Sequence, residues 1–251
     1  MFTFTKLAVV LAALECVSIS DAALSADQKT TILAKHNELR RKVAKGQATD
    51  KAGTALPSAT DMAKMQWDDA LASTAQAWAD GCQIAHDASA TDFGENLASG
   101  TSGAYTFVDL VMMWYNELTD QPGELACDAE AFSSEQCIAA GHFTQVVWAT
   151  SWKLGCGAAE CNGQTYLVCR YKHRGNVNGA KIYTKGQSCG GCIAGQQTCD
   201  DALCDGDPIA PQPCENAAAN GCDQWKGMGL CTNAMYQQFM RTNCYKECGY
   251  C

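Results

Sequence analysis

The chain has 251 residues, with 18 Lys and Arg against 27 Asp and Glu, a formal net charge of −9 and 17 cysteines. That acidic balance disfavours nucleic acid, whose phosphates attract basic faces. Past the first residues no stretch approaches the ~18 consecutive apolar residues that a membrane-spanning helix needs, so no integral membrane segment is expected.

Residues 1–22, MFTFTKLAVVLAALECVSISDA, place Lys6 before an apolar run and small residues around Ala22, the pattern of a secretory signal peptide. The reading is therefore a secreted, extracellular protein. Removing the leader removes Cys16 and leaves an even number of cysteines, so a full disulfide framework is predicted. The cysteines fall in three groups: Cys82 to Cys169, Cys189 to Cys204, and Cys214 to Cys251. That grouping divides the chain into a large domain over 23–183, a stapled hinge and linker over 184–213, and a mini-domain over 214–251 too small to fold without bridges.

Within the large domain, Ile32, His36, Leu39 and Val43 share one face of a helix predicted over 27–45. The basic cluster Arg40, Arg41, Lys42 and Lys45 reads as the solvated end of that helix, where cations complement the dipole. Residues 46–64 carry Gly, Pro and Ser-Ala-Thr punctuation and read as a long loop. Trp67, Leu71, Thr74, Ala75 and Trp78 mark a second helix, stopped by Gly81 just before Cys82. A third helix is predicted over 104–119, with Glu117 on the same face as Leu110 and Trp114. A carboxylate on an apolar stripe is out of place and needs a donor. After residue 140 the pattern turns to strands: His142 to Ala149, Lys153 to Ala158, Thr165 to Tyr171, and Ala180 to Tyr183. Helices first and strands afterwards predict an α+β fold with helices on a mostly antiparallel sheet.

Residues 141–157, GHFTQVVWATSWKLGCG, resemble the first signature of the CAP superfamily, the cysteine-rich secretory, antigen-5 and pathogenesis-related-1 proteins that share the SCP domain; YLVCRYKHRGNV, residues 166–177, resembles the second. His36-Asn37-Glu38-Leu39-Arg40 is similar to the family's HNxxR, and Gly94-Glu95-Asn96-Leu97 to its GEN motif. The resemblance implies a three-layer α–β–α sandwich and a central cleft lined by His86, Glu95, Glu117 and His142. In that reading His86 and His142 are metal ligands for Zn2+ or another divalent cation, held weakly because two protein ligands leave positions open to water. The two glutamates orient the imidazoles. His36 lies outside the cleft as a packed, hydrogen-bonded residue, and His173 sits in an exposed turn beside Lys172 and Arg174.

The resemblance further implies the bridges Cys82–Cys161, Cys127–Cys137 and Cys156–Cys169. The hinge cysteines Cys189, Cys192, Cys199 and Cys204 are expected to form two more, their connectivity left open, because a secreted acidic segment favours disulfides over a zinc site. Residues 214–251 resemble the ShK toxin-type domain, a small helical cysteine-rich unit, with implied pairs Cys214–Cys251, Cys222–Cys244 and Cys231–Cys248. Channel-blocking members carry a lysine and an aromatic where this chain has Gln238 and Phe239, so the pore-plugging cation is missing. Trp225, Met228, Met235, Tyr236, Phe239 and Met240 are expected mostly to form the tail's small core, with some left as a contact patch.

Three functions follow. The first is a non-catalytic binding protein for a sterol or fatty acid, or for an extracellular protein, with Tyr105 and Phe107 on a glycine-rich lipid-binding loop after GENL. The second is an effector, toxin-like or defence protein acting on a receptor or channel through the tail. The third is a metal-dependent hydrolase or protease, disfavoured because no GxSxG occurs, all mature cysteines are expected to pair, and Thr144 reads as a strand residue. No catalytic residue is assigned.

Overall fold

The computed structural model describes residues 23–89, 92–120, 129–133, 135, 137–207 and 221–233, with residues 236, 239, 240, 244, 247 and 248 of the tail. The first helix, α1 (Ala26–Ala44), starts at a reciprocal cap in which the Ser25 hydroxyl accepts from the Gln28 N–H and the Gln28 side chain accepts from the Ser25 N–H. Its expected face is the buried one: Ile32, His36, Leu39 and Val43 are all inside. The long loop leads into the two-residue strand β1 (Gln66–Trp67), so Trp67 belongs to the sheet and not to the second helix.

That helix, α2 (Asp69–Asp80), is capped by the Asp68 carboxylate on the Leu71 N–H. It buries Ala72, Ala75 and Ala79, while Thr74, expected on the inner face, is exposed. The cause lies beneath it. Strand β3 (Lys153–Cys161) carries Gly155 and Gly157, and a Cβ on either would collide with the backbone of Ala72 or Gln76. The helix rides so low on the sheet that its alanines make the contact.

Strand β2 (Gly94–Thr101), helix α3 (Phe107–Asp120), a 3-10 turn at Ile138–Ala140, helix α4 (Gly141–Val146) and strand β4 (Gln164–Lys172) complete the frame. The sheet order is β1-β3-β4-β2, with β1 parallel to β3 and the other pairs antiparallel. Alternation along the strands assigns its faces. Leu154, Cys156, Leu167, Cys169 and Tyr171 join the main core with α1, α3 and α4, whereas Cys161, Tyr166 and Val168 pack with Ala75 and Ala79 of α2. Helices therefore cover both faces, the expected α–β–α sandwich.

Two strand expectations fail. Residues 142–149 do not extend, because residues 141–146 form α4 and the following carbonyls converge on one cation. Arg40, expected in solvent at the helix end, is fully buried. Its guanidinium donates to the carbonyls of Ala63, Val146, Trp148, Ala149 and Ser151 at 2.7–3.1 Å. In a strand the successive carbonyls of Trp148 and Ala149 would point opposite ways and could not both reach it. Residues 180–183 are likewise no strand: the N–H groups of Ile182 and Tyr183 both donate to the Ala129 carbonyl, so alternation is broken while both side chains stay buried.

Of the rest of the basic cluster, the hinge engages Arg41 and Lys45, together with Lys64 from the long loop, while Lys42 lies over the Tyr115 ring. Arg41 and Lys45 pair with Asp201 at 3.1 and 2.5 Å, and Lys64 with Asp200 and Asp205 at 2.8 Å each. Strands β5 (Thr198–Asp200) and β6 (Leu203–Asp205) form a hairpin whose Leu203 and Cys204 are fully buried, and Cys204 exchanges backbone bonds with Met62 and Lys64. The hinge connectivity is Cys189–Cys199 and Cys192–Cys204. Of the implied bridges, Cys82–Cys161, Cys156–Cys169, Cys222–Cys244 and Cys231–Cys248 are present. Cys137 is disulfide-bonded; Cys127, Cys214 and Cys251 lie outside the described residues.

In the tail, helix α5 (Cys222–Gly227) packs in a cluster with buried Met240 and Cys244 and partly buried Trp225. Met228, Tyr236 and Phe239, expected mostly in that core, are exposed at 65%, 44% and 47%. Disulfides fill so small a centre that little room remains for large side chains. Met235 and Gln238 lie outside the described residues, as do residues 1–22. No helix among the described residues is long and apolar enough to cross a membrane.

Candidate functional site

The four cleft residues arrive from four separate segments and meet as two matched pairs. His142 is the second residue of α4, where backbone N–H groups have no partner within the helix. Glu117, on the inner side of α3, supplies it: one carboxylate oxygen accepts the N–H groups of His142 and Phe143 at 2.8 and 3.0 Å, and the other accepts His142 Nδ1 at 2.6 Å. The misplaced acid of the third helix is thus the cap of the fourth. The Trp114 ring, also on α3, stacks against the His142 imidazole with centroids 6.5 Å apart and planes at 23°.

The second pair lies on the other wall. Glu95 on β2 accepts His86 Nδ1 at 3.0 Å and the Asp87 N–H at 3.1 Å through one oxygen. Its other oxygen accepts Arg170, its direct neighbour on β4, at 3.1 Å; the same guanidinium reaches Asp87 at 2.9 Å. Arg170 is nearly buried and lies over the Phe93 ring at 4.2 Å. Burial opposes ionisation of Glu95, but bonds from His86, from the Asp87 backbone and from Arg170 outweigh it and hold its carboxyl below the usual carboxylate range. Sequence reading missed Arg170. The signal was there: one arginine inside the otherwise apolar run Tyr166-Leu-Val-Cys-Arg170-Tyr171 must be compensated.

The two imidazoles face each other across the cleft with centroids 6.3 Å apart and planes at 29°. Each Nδ1 donates to a carboxylate, so each neutral ring keeps an unprotonated Nε2. Both oxygens of Glu95 and both of Glu117 are already engaged, which makes the acids orienters and leaves two nitrogens as the donor set. That set suits a borderline divalent ion. Imidazoles sharing a tetrahedral zinc at ~2.1 Å have centroids roughly 5 Å apart, so about 1 Å of closure is required. His86, with its side chain 61% exposed against 34% for His142, is the partner with room to move. Among the described residues, Cys189, Cys192 and Cys204 alone place three ligating atoms within 4.8 Å, but all three are oxidised to disulfides and offer no thiolate.

A family model described as "CAP: Cysteine-rich secretory protein family" matches residues 33–171. The chain belongs to this family. A second model, "ShK domain-like", matches residues 213–251. Among curated relatives, "CRISP/Allergen/PR-1" of Trittame loki is 40% identical over 184 residues, covering 67% of this chain but only 44% of that protein. "Venom allergen 3" of Solenopsis invicta is 36% identical over 67% of this chain and 76% of its own length. Among solved structures, NaASP2, crystallised with Zn2+, superposes with a TM-score of 0.65 at 31% identity, covering 74% of this CAP chain and 98% of that one.

The remaining expected residues divide. His36 is buried within the core, and His173 is exposed, as expected of both. Tyr105 and Phe107 do not form a matched pair on one loop: Ala98 to Thr101 continue β2, Tyr105 folds over Gly100 and stays 43% exposed, and Phe107 opens α3 and packs on the main core. Thr144 is buried with its hydroxyl 2.7 Å from the Asn176 side-chain oxygen, an anchoring contact.

Proposed function

We propose that this CAP protein is a secreted, non-catalytic binding protein whose cleft takes a divalent cation weakly on His86 and His142. One observation carries the reading: both glutamates spend their oxygens on orienting donors, so neither is left as a general base, while both Nε2 atoms remain for an ion. A bound ion would supply a Lewis-acid centre that ligands with oxygen donors can reach. The family membership and the relative crystallised with Zn2+ support it. Calorimetric titration of Zn2+ should give binding in the wild type and reduce it to a weak residual affinity in His86→Ala and in His142→Ala. Equal binding by all three proteins would refute the assignment. The same preparations should show no hydrolysis of a broad ester and peptide panel.

The organic partner is read as a sterol or fatty acid, favoured by exposed Tyr105 at the turn before α3. Absence of labelled cholesterol and fatty-acid binding by the wild type would remove that reading, and binding that survives a Tyr105→Ala, Phe107→Ala double substitution would remove the two aromatics from it. The exposed Met228, Tyr236 and Phe239 favour a second one, in which the ShK-like tail docks on an extracellular protein.

A further inference from the structure

The HNxxR histidine lies outside the cleft, yet a continuous buried hydrogen-bond chain joins it to the cleft wall. His36 Nδ1 is 2.9 Å from the Ile32 carbonyl, which can only accept, so Nδ1 carries the proton and Nε2 is an acceptor. The Tyr171 hydroxyl, 3.0 Å from Nε2, must then donate to it. That leaves the Tyr171 oxygen free to accept from Asn96 Nδ2 at 3.3 Å, and the second Asn96 proton goes to the His142 carbonyl at 3.1 Å. Every donor along the path meets an acceptor, and one arrangement of protons satisfies the whole. His36, Asn96 and Tyr171 are all nine-tenths or more buried, so water cannot substitute for a missing member.

We infer that Tyr171 and Asn96 are positioning residues for the metal-capable cleft, fixing the His142 main chain from the carbonyl side while Glu117 fixes it from the N–H side. This rests on the reading of His142 as an ion ligand. The physical need is specific to His142. Glu117 Oε1 aims its ring, but the ring's position follows its Cα, which sits in a helix of only six residues with little cooperativity of its own. Asn96 ties that short helix to β2, the strand that also carries Glu95, so the two walls of the cleft share one reference. Trp114 fills the space between, with His36 6.2 Å and His142 6.5 Å from its ring. The four family motifs, HNxxR, GEN and the two signatures, therefore meet in one chain of contacts.

The test titrates Zn2+ into the wild type, Tyr171→Phe and Asn96→Leu, each also in a His142→Ala background, and records the histidine ring 15N spectra of the same samples. Each substitution should weaken Zn2+ about tenfold, the low end of the effect of groups behind a metal ligand, and should alter the His142 ring signals. In the His142→Ala background neither should change the residual affinity. Wild-type affinity in both variants, or equal losses with and without His142, would overturn the inference in favour of general loosening. If the wild type itself binds no Zn2+, the ion reading fails, and unchanged His142 ring signals in the variants would then overturn the positioning role as well. Should Tyr171→Phe not fold, Asn96→Leu decides alone.

Discussion

Arg40 and His36 sit one turn apart on α1, and both place a basic group where water does not reach. They solve the problem in opposite ways. Arg40 stays charged, since burial lowers it only to about 9 while Tyr171 and Asp61 act to raise it, and its carbonyl partners replace the water it lost. His36 gives up its charge: burial pulls it down to about 4, more than the Ile32 carbonyl can restore, with the Arg40 cation adding to the fall. The consequence for stability has a definite sign. A histidine titrating near 6.5 when unfolded and near 4 when folded leaves stability intact above about pH 6.5 and removes it as pH falls towards 4, by about 3 kcal/mol. Urea unfolding midpoints of the wild type should drop across that window. A His36→Gln variant should show a flatter profile there, and a parallel profile would exclude His36 as the cause.

At the scale of elements, close approach governs more than propensity does. The helix α2 reaches β3 only because Gly155 and Gly157 offer no Cβ, and Gln76 uses the proximity to bond the Ala158 backbone in both directions, at 2.7 and 3.1 Å. Gly157→Ala should therefore cost about 3 kcal/mol, the upper part of the range for overpacking, because the obstacle is backbone and not a movable side chain. Chemical denaturation measures this directly; a cost under about 1 kcal/mol would mean that the helix can lift off the sheet. The same proximity explains why the inner face of α2 was misassigned to Thr74. Alanine and threonine both fit a helical stripe, and only the glycines on another element decide which of them faces inward.

Across the whole molecule, the hinge is fastened to the CAP domain by three kinds of bond of unequal weight. Ion pairs from Arg41, Lys45 and Lys64 to Asp200, Asp201 and Asp205 are largely solvent-facing and contribute little each. The buried Leu203 and the backbone bonds that Cys204 exchanges with Met62 and Lys64 carry more. Arg41→Ala with Lys64→Ala should lower the melting temperature by only a few degrees, and less at 1 M salt, where screening has already weakened the pairs. Leu203→Ala should lower it more at any salt. The opposite order would make charge the fastening.

The sequence by itself determined the family, the α+β class, the buried face of α1 and the names of the four residues that the structure brings together as two pairs, because each is carried by a local pattern or by a motif of fixed spacing. His86, Glu95, Glu117 and His142 were named from such matches, and Glu117 also from the misfit of an acid on an apolar stripe. Only the tertiary structure decided that His142 begins a helix, that Arg170 neutralises Glu95, that Arg40 is interior and that Phe107 belongs to the core. Each of these depends on partners 20 or more residues away along the chain, or on room left by another element. A β-rich run such as Val146-Val147-Trp148 states a preference for extension, and four hydrogen bonds from one buried guanidinium to carbonyls between Val146 and Ser151 overrule it.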